Sequence, residues 1–176
     1  INEEFLKNIS EDLLELNKIG KEIVIVSSGA IALGRKHQKD KKLTLAESQA
    51  ASAIGQIELI NGWKKALEKK GLKTAQILIT ANDTENRKRY LNARATFDEL
   101  LKEEYIPIVN ENDTVATSEI KYGDNDRLAA RISGMISADS LVLLSNVEGL
   151  YSKDPSKKKV EIIREVNNID KNIISM

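Results

Sequence analysis

The sequence predicts an α/β fold, a three-layer αβα sandwich in which helices cover both faces of a mainly parallel central sheet. Two observations support this fold class. Short runs of β-branched and other apolar residues recur along the chain, and stretches with helical spacing of apolar residues separate them. The apolar runs lack the polar–apolar alternation that is typical of sheets with one face in water. Strands that alternate with helices in this way form βαβ units, which build parallel sheets.

The individual elements follow from these patterns. Apolar residues at helical spacing, such as Leu6 and Leu13, precede a stop at Gly20 and predict the first helix. Helices are predicted over residues 1–19, from the turn at 27–29 through 32, and over 45–69, 86–103 and 127–137. Strands are predicted over 23–26, 75–80, 106–109 and 141–144, with a weaker edge strand over 160–163. No repeat or flexible linker interrupts the pattern, which predicts one domain over residues 1–176.

Composition and charge exclude several classes of protein. Lys plus Arg and Asp plus Glu both number 27, and this zero net charge argues against a nucleic-acid partner. The absence of cysteine excludes disulfides and thiol catalysis, and the single histidine, His37, excludes a metal site of several histidines. No apolar run approaches the roughly 18 residues of a membrane helix, so we expect a cytoplasmic protein without a membrane partner. The chain starts without Met and ends within a pattern, which suggests part of a longer protein.

The carboxyl ends of the predicted strands are the expected place for a ligand, because parallel sheets bind ligands in the crevice beyond those ends. The first such end reads Ser27-Ser28-Gly29-Ala30 and leads directly into a helix. Its glycine and small side chains let a ligand approach the backbone, and the N–H groups and dipole of a helix start favour an anion. The alternative is that a serine simply caps the helix.

Two later turns are dense in amide and carboxylate side chains. Asn110-Glu111-Asn112-Asp113 follows a predicted buried strand, and fixed hydrogen bonds from such groups can orient an ammonium or a carboxylate. The alternative is an ordinary polar loop. The second turn, residues 122–127, contains Asn125 and Asp126 at a helix start, where either residue could instead cap the helix. It lacks the glutamate that closes a calcium loop, so we predict no metal ligands there. The intervening residues 114–121 are expected to form a short hairpin over a site.

Two other polar or small-residue stretches are interpreted as structural. The helical run Gln49 to Gln56 is rich in alanine and glycine, which favours close packing against another helix. The cationic residues between Arg87 and Arg94 are typical of a solvated helix face. Neither a P-loop nor a dinucleotide-binding glycine motif is present, so neither of those classes is supported.

The motifs together resemble the members of the amino-acid kinase family that phosphorylate glutamate. The resemblance rests on VSSGAIA (26–32), RYLNAR (89–94), IPIVNENDTVA (106–116), EIK (119–121), GDND (123–126), Gly149-Leu150-Tyr151 and Asp154-Pro155. It covers nearly the whole chain. It implies ATP- and Mg²⁺-dependent phosphorylation of the side-chain carboxylate of L-glutamate to glutamyl 5-phosphate, the first step of proline synthesis. It also implies a homo-oligomer with proline as feedback inhibitor.

The same resemblance implies roles for particular residues. Ser28, Asp113 and Asn125 match the glutamate-binding set, and Asp126 matches the residue that organises the catalytic lysines. Ser145 and Asn146 lie where the family binds ATP; the family usually has Thr-Asp there. Lysine-bearing loops are expected before Ile1 and after Met176, and no RNA-binding-like domain is appended within this span. The alternatives are a glutamate or proline sensor without turnover and a related kinase for another substrate.

Overall fold

The computed structural model describes residues 2–35, 43–116, 124–145, 147, 149–153 and 160–174. Its α-helices are α1 (Glu3–Lys18), α2 (Ala30–Gly34), α3 (Leu45–Glu68), α4 (Ala81–Glu85), α5 (Arg87–Lys102), α6 (Asp124–Met135) and α7 (Lys171–Ile174). Its strands are β1 (Ile25–Val26), β2 (Lys73–Ile79), β3 (Tyr105–Glu111), β4 (Leu150–Tyr151) and β5 (Ile162–Ile163), and a 3₁₀ turn spans Asp113–Val115. The chain divides into two compact units, Ile1–Leu141 and Val142–Met176.

The larger unit is built on a three-stranded parallel sheet with the order β1-β3-β2. Ile25 lies opposite Ile108 in the ladder between β1 and β3. All seven residues of β2 pair with β3, from Lys73 opposite Tyr105 to Ile79 opposite Glu111. Because the three strands are parallel, their carboxyl ends lie at one edge of the sheet. The predicted parallel α/β sheet is confirmed.

Helices cover both faces of this sheet. Successive residues of the central strand β3 point to opposite sides, so the strand contributes side chains to the packing on each face. Ile106 and Ile108 belong to a core cluster with α1, α2 and α3, which includes Leu6, Leu13, Leu59, Trp63 and Leu67. Val109 belongs to a second cluster with α5 and α6, formed with Ile79, Phe97, Leu128, Ile132 and Met135. The three-layer arrangement of helices, sheet and helices is therefore confirmed.

Helices α2 and α3 approach each other so closely that glycine is required at the crossing. A Cβ atom added to Gly34 would lie 1.8 Å from the carbonyl oxygen of Ala51, and one added to Gly55 would lie 1.8 Å from that of Ala30. Ala51 and Gly55 belong to the small-residue stretch of α3. The interpretation of that stretch as a close helix-packing surface is confirmed.

The smaller unit contains a two-stranded antiparallel sheet, in which Leu150 lies opposite Ile163 and Tyr151 opposite Ile162. This pairing confirms the weak strand predicted near 160–163, although it is only two residues long. The strand predicted at residues 141–144 is wrong. Within the described residues this run forms no strand, and its side chains are exposed, with Val142 at 75%. An apolar run becomes a strand only when a neighbouring strand accepts its hydrogen bonds, and the described part of the chain pairs no strand with it.

Several element boundaries differ from the prediction. β1 is shorter because only Ile25 and Val26 reach the ladder with β3, whereas β3 extends to Glu111 because β2 pairs with it along its whole length. The structure adds the short helix α4, which a reciprocal capping box between Thr80 and Asp83 initiates. His37 lies outside the described residues, and so do residues 117–123, which include most of the predicted hairpin. Among the described helices, none is long and apolar enough to cross a membrane.

Candidate functional site

The turn after β1 is anchored by Ser27 and presents Ser28. The backbone N–H of Ser27 donates to the carbonyl oxygen of Val109 at 2.8 Å, and the Trp63 indole Nε1 donates to the Ser27 hydroxyl at 2.9 Å. Ser28 and Gly29 are exposed, and Gly29 has a φ of 101°, which favours glycine over any residue with a side chain. The turn therefore holds Ser28 at the carboxyl edge of the sheet with accessible backbone beside it.

Serine does not cap α2, so the alternative interpretation of this turn as a plain serine cap is wrong. The N-cap residue is Gly29, and no side chain caps the helix. α2 has only five residues, so the expected contribution of its dipole to anion binding is small. The group at this turn that can bind a ligand is therefore the exposed Ser28 hydroxyl.

The end of β3 carries buried polar side chains that contact α3. The Asn110 amide Nδ2 donates to Gln56 Oε1 at 2.7 Å, and the Ser52 hydroxyl donates to Asp113 Oδ2 at 2.5 Å. Asn110 is 3% and Asp113 7% exposed. An ordinary polar loop keeps its side chains in water, so it does not account for these two residues. A buried carboxylate is expensive unless it is hydrogen-bonded, and Ser52 supplies such a bond.

The end of β2 carries a third polar group, Asp83. Burial raises the pKa of this carboxyl, but hydrogen bonds from the Thr80 hydroxyl, the Arg89 guanidinium and the Thr80 backbone outweigh burial and hold the pKa below its usual value. The Arg89 Nη1 lies 2.8 Å from Asp83 Oδ1. Arg131 of α6 donates to the Thr84 hydroxyl and to Glu85 Oε1, both at 2.7 Å. Arg131 thus connects α6 to the turn that follows β2.

Asn125 and Asp126 lie in the first turn of α6, on the face of the sheet opposite α3. Asn125 is half-buried and Asp126 is exposed. α6 begins at Asp124, so neither residue is the N-cap that the alternative interpretation expected. Leu128, two residues beyond Asp126, belongs to the same apolar cluster as Val109. The first turn of α6 is therefore fixed to the sheet by its own hydrophobic face.

Ser145 belongs to the smaller unit, where the backbone N–H of Val147 donates to its hydroxyl at 3.3 Å. Asn146 lies outside the described residues. Of the predicted site residues, the structure brings Ser28 and Asp113 to the ends of adjacent strands and puts Asn125 and Asp126 on α6.

Gln49, Ser52 and Gln56 contact the end of β3 and the turn after it, although the sequence analysis interpreted their stretch only as a packing surface. The available signal was their spacing. Residues three and seven positions apart share one face of a helix, so these three form a polar stripe in a run otherwise rich in alanine. The partners, 54 to 67 residues away, could not be found from local pattern.

Two surface cavities adjoin these turns. One, of about 220 Å³, is lined by apolar side chains such as Ile57 and Leu78 together with polar residues that include Ser52, Glu111 and Asp113. The other, of about 280 Å³, adjoins Ser27, Ser28 and Gly29 and is otherwise lined by apolar side chains such as Trp63. No group of three or more Asp, Glu or His side chains is arranged to hold a metal ion within the described residues.

Fold and geometry together define an α/β protein that places polar side chains at the carboxyl edge of a parallel sheet, which is where proteins of this class bind ligands. Sequence comparison agrees and is more specific. The profile of the amino acid kinase family matches residues 2–171, so the chain belongs to that family.

Curated proteins similar to this chain include glutamate 5-kinases. The chain is 51% identical over 176 residues to the glutamate 5-kinase of Pelagibacter ubique, covering 98% of this chain and 48% of that protein. It is also 51% identical over 179 residues to glutamate 5-kinase 1 of Mesorhizobium japonicum, covering 100% of this chain and 47% of that protein. The glutamate 5-kinase of Bartonella henselae is 56% identical over 156 residues, covering 88% of this chain and 41% of that protein. The chain thus spans about half the length of the curated relatives that it matches.

Proposed function

We propose that this chain is the glutamate-binding part of an enzyme that transfers the γ-phosphoryl group of ATP to the side-chain carboxylate of L-glutamate. The observation that supports the proposal is the position of Ser28 and Asp113 at the ends of two adjacent strands. The chain that carries them is 51% identical in sequence to two glutamate 5-kinases. The product, glutamyl 5-phosphate, is an acyl phosphate, and the reaction is the first step of proline synthesis.

The chemistry of the three predicted glutamate-binding residues suits glutamate, which carries one ammonium and two carboxylate groups. Asp113 is a carboxylate and complements an ammonium, whereas the Ser28 hydroxyl and the Asn125 amide donate hydrogen bonds to carboxylates. Asp113 is buried and already holds one hydrogen bond from Ser52, so its position does not depend on the ligand. Pre-organised groups of this kind bind a ligand with a smaller loss of entropy.

The reaction needs no general base, because the attacking carboxylate is already ionised at neutral pH. A carboxylate oxygen of glutamate forms a bond to the γ-phosphorus, and the bond from that phosphorus to the oxygen of the leaving ADP breaks. The remaining task is to align two anions and to neutralise their charge. We assign Asp126, exposed at the start of α6, to holding the cationic groups that do so. A chain with a single histidine is well suited to this chemistry.

Of the two residues predicted to bind ATP, Ser145 and Asn146, one keeps the side-chain functional group that is usual in the family. Kinases usually bind Mg²⁺ through the nucleotide phosphates and one or two carboxylates. Ser145 keeps the hydroxyl of the usual family pair, and Asn146 lacks the carboxylate. When bound, ATP supplies the phosphoryl group and Mg²⁺ balances its charge. We further propose a cytoplasmic homo-oligomer with proline as feedback inhibitor.

The test is a coupled assay of ADP release by the complete gene product, with ATP, Mg²⁺ and one of three acids: glutamate, aspartate or N-acetylglutamate. We expect ADP release that depends on glutamate and is much slower with the other two. Turnover with another acid in preference to glutamate would identify a related kinase. Glutamate binding by calorimetry without any ADP release would identify a sensor, and either result would refute the proposal.

A further inference from the structure

The polar stripe of α3, formed by Gln49, Ser52 and Gln56, contacts three successive points at the end of β3 and in the turn after it. Gln49 Nε2 donates to the carbonyl oxygen of Ala116 at 3.0 Å, Ser52 donates to Asp113 Oδ2 at 2.5 Å, and Gln56 Oε1 accepts from Asn110 at 2.7 Å. The contacts fall at intervals of three residues along the turn. One helix face therefore determines the path of the backbone that carries Asp113.

Among the three hydrogen bonds of this stripe, the one made by Ser52 is to a charged side chain, the Asp113 carboxylate. A hydrogen bond from a hydroxyl to a carboxylate is about twice as strong as one between neutral groups, and 2.5 Å is at the short end of its range. Both side chains are buried, Ser52 at 3% and Asp113 at 7% exposure. Removing the serine hydroxyl would therefore take a charge-assisted hydrogen bond from a largely buried carboxylate.

Local helix propensity does not explain a serine at position 52. Ala50, Ala51 and Ala53 surround it, and alanine is the better helix former at a mid-helix position. A residue that departs from its local preference is expected where a function requires it. The Ser52 hydroxyl instead donates a hydrogen bond to Asp113.

We propose that Ser52 is a positioning residue for substrate binding, which fixes the orientation of the Asp113 carboxylate toward the amino group of glutamate. This inference rests on the proposed function. Ser52 is one of the partners that hold the Asp113 carboxylate, so without its hydroxyl this orientation is held less firmly and part of it must be regained each time glutamate binds. The effect should fall on glutamate binding and leave the ATP side and the chemical step nearly unchanged, since Ser52 contacts neither.

The experiment measures KM for glutamate, KM for ATP, kcat and the thermal midpoint of the complete gene product and its variants. For Ser52→Ala we expect KM for glutamate to rise about tenfold, with kcat and KM for ATP within about twofold of wild type. Ser52→Thr keeps the hydroxyl beside the cavity of about 220 Å³, so it should retain most of the affinity. Ser48→Ala, the same substitution in the first turn of α3, is the matched control and should change nothing.

A double-mutant cycle with Asp113→Asn distinguishes positioning from a general loss of structure. If Ser52 acts through the carboxylate, Ser52→Ala should add little to KM once that carboxylate is gone. An unchanged KM for glutamate in Ser52→Ala overturns the inference and leaves the proposed function intact. A joint fall of kcat, both affinities and the thermal midpoint also overturns it, because it indicates a structural role. Wild-type protein without glutamate-dependent turnover overturns both.

Discussion

Replacing Gly55 with alanine should destabilise the fold through the crossing of α2 and α3. The added Cβ would lie 1.8 Å from the Ala30 carbonyl oxygen and 2.5 Å from the backbone nitrogen of Gly34. Ordinary contacts are longer than 3.4 Å, and both neighbours are backbone atoms that cannot rotate away. α2 must therefore move as a whole. Since α2 starts directly after Gly29, that movement also displaces Ser28.

The magnitude follows from two opposing contributions. Overpacking a well-packed core costs up to about 3 kcal/mol, and alanine regains about 1 kcal/mol over glycine in a helix, so the net loss is about 2 kcal/mol. Gly134 of α6 provides a matched control, because a Cβ there meets no atom within 4 Å. Gly134→Ala should gain about 1 kcal/mol from helix propensity alone.

The assay is urea denaturation of both variants beside wild type, followed by far-ultraviolet circular dichroism. The free energy of unfolding should fall by about 2 kcal/mol in Gly55→Ala and rise by about 1 kcal/mol in Gly134→Ala, relative to wild type. KM for glutamate should rise in Gly55→Ala and stay constant in Gly134→Ala. If Gly55→Ala were as stable as Gly134→Ala, the close approach of α2 to α3 would be wrong, and so would the link between that crossing and Ser28.

Three further predictions concern the polar groups at the carboxyl edge. Asp113→Asn and Asn125→Ala should each cost about 1.5–3 kcal/mol of glutamate binding, measured as a rise of KM for glutamate with little change for ATP; a rise for ATP alone would put them in the wrong half of the site. Asp126→Asn should lower kcat with little change in either KM, because its role is in the transition state; a kcat within about twofold of wild type would contradict that role. Asp83 has a lowered pKa in the folded state, so its contribution to stability is present at neutral pH and is lost as pH falls through that pKa. Asp83→Asn should therefore be less stable at pH 7 by about 1 kcal/mol, the value of a helix-capping interaction, and urea titrations should show the difference from wild type beginning to shrink below about pH 4 and disappearing at still lower pH; a constant difference would refute the assignment.

Much of the fold could be predicted from the sequence because burial leaves a local pattern. Val109 and its neighbours in β3 are buried on both faces of the sheet, so their strand is a continuous apolar run. The same reasoning failed at residues 141–144, since an apolar run does not reveal whether a partner strand pairs with it. The helix α4 has a visible signal, Thr80 three residues before Asp83, which the sequence analysis did not use.

The candidate site could be predicted only in part. Ser28 and Asp113 follow strands, so the rule for parallel sheets indicated their common edge. The contact of Ser52 with Asp113 joins residues 61 positions apart, and no periodicity encodes such a pair. The role that we propose for Ser52 depends on the packing of α3 against β3, which brings two buried side chains within hydrogen-bond distance.

The central claim is that glutamate, bound beside Asp113, accepts a phosphoryl group on its side-chain carboxylate. Hydroxylamine converts acyl phosphates into hydroxamates, so trapping during turnover with ATP, Mg²⁺ and glutamate detects the product directly. We predict that the complete gene product forms the glutamyl hydroxamate at the rate of ADP release, and that Asp113→Asn needs far more glutamate to do so. ADP release without any hydroxamate, or an unchanged requirement for glutamate in Asp113→Asn, would contradict the account.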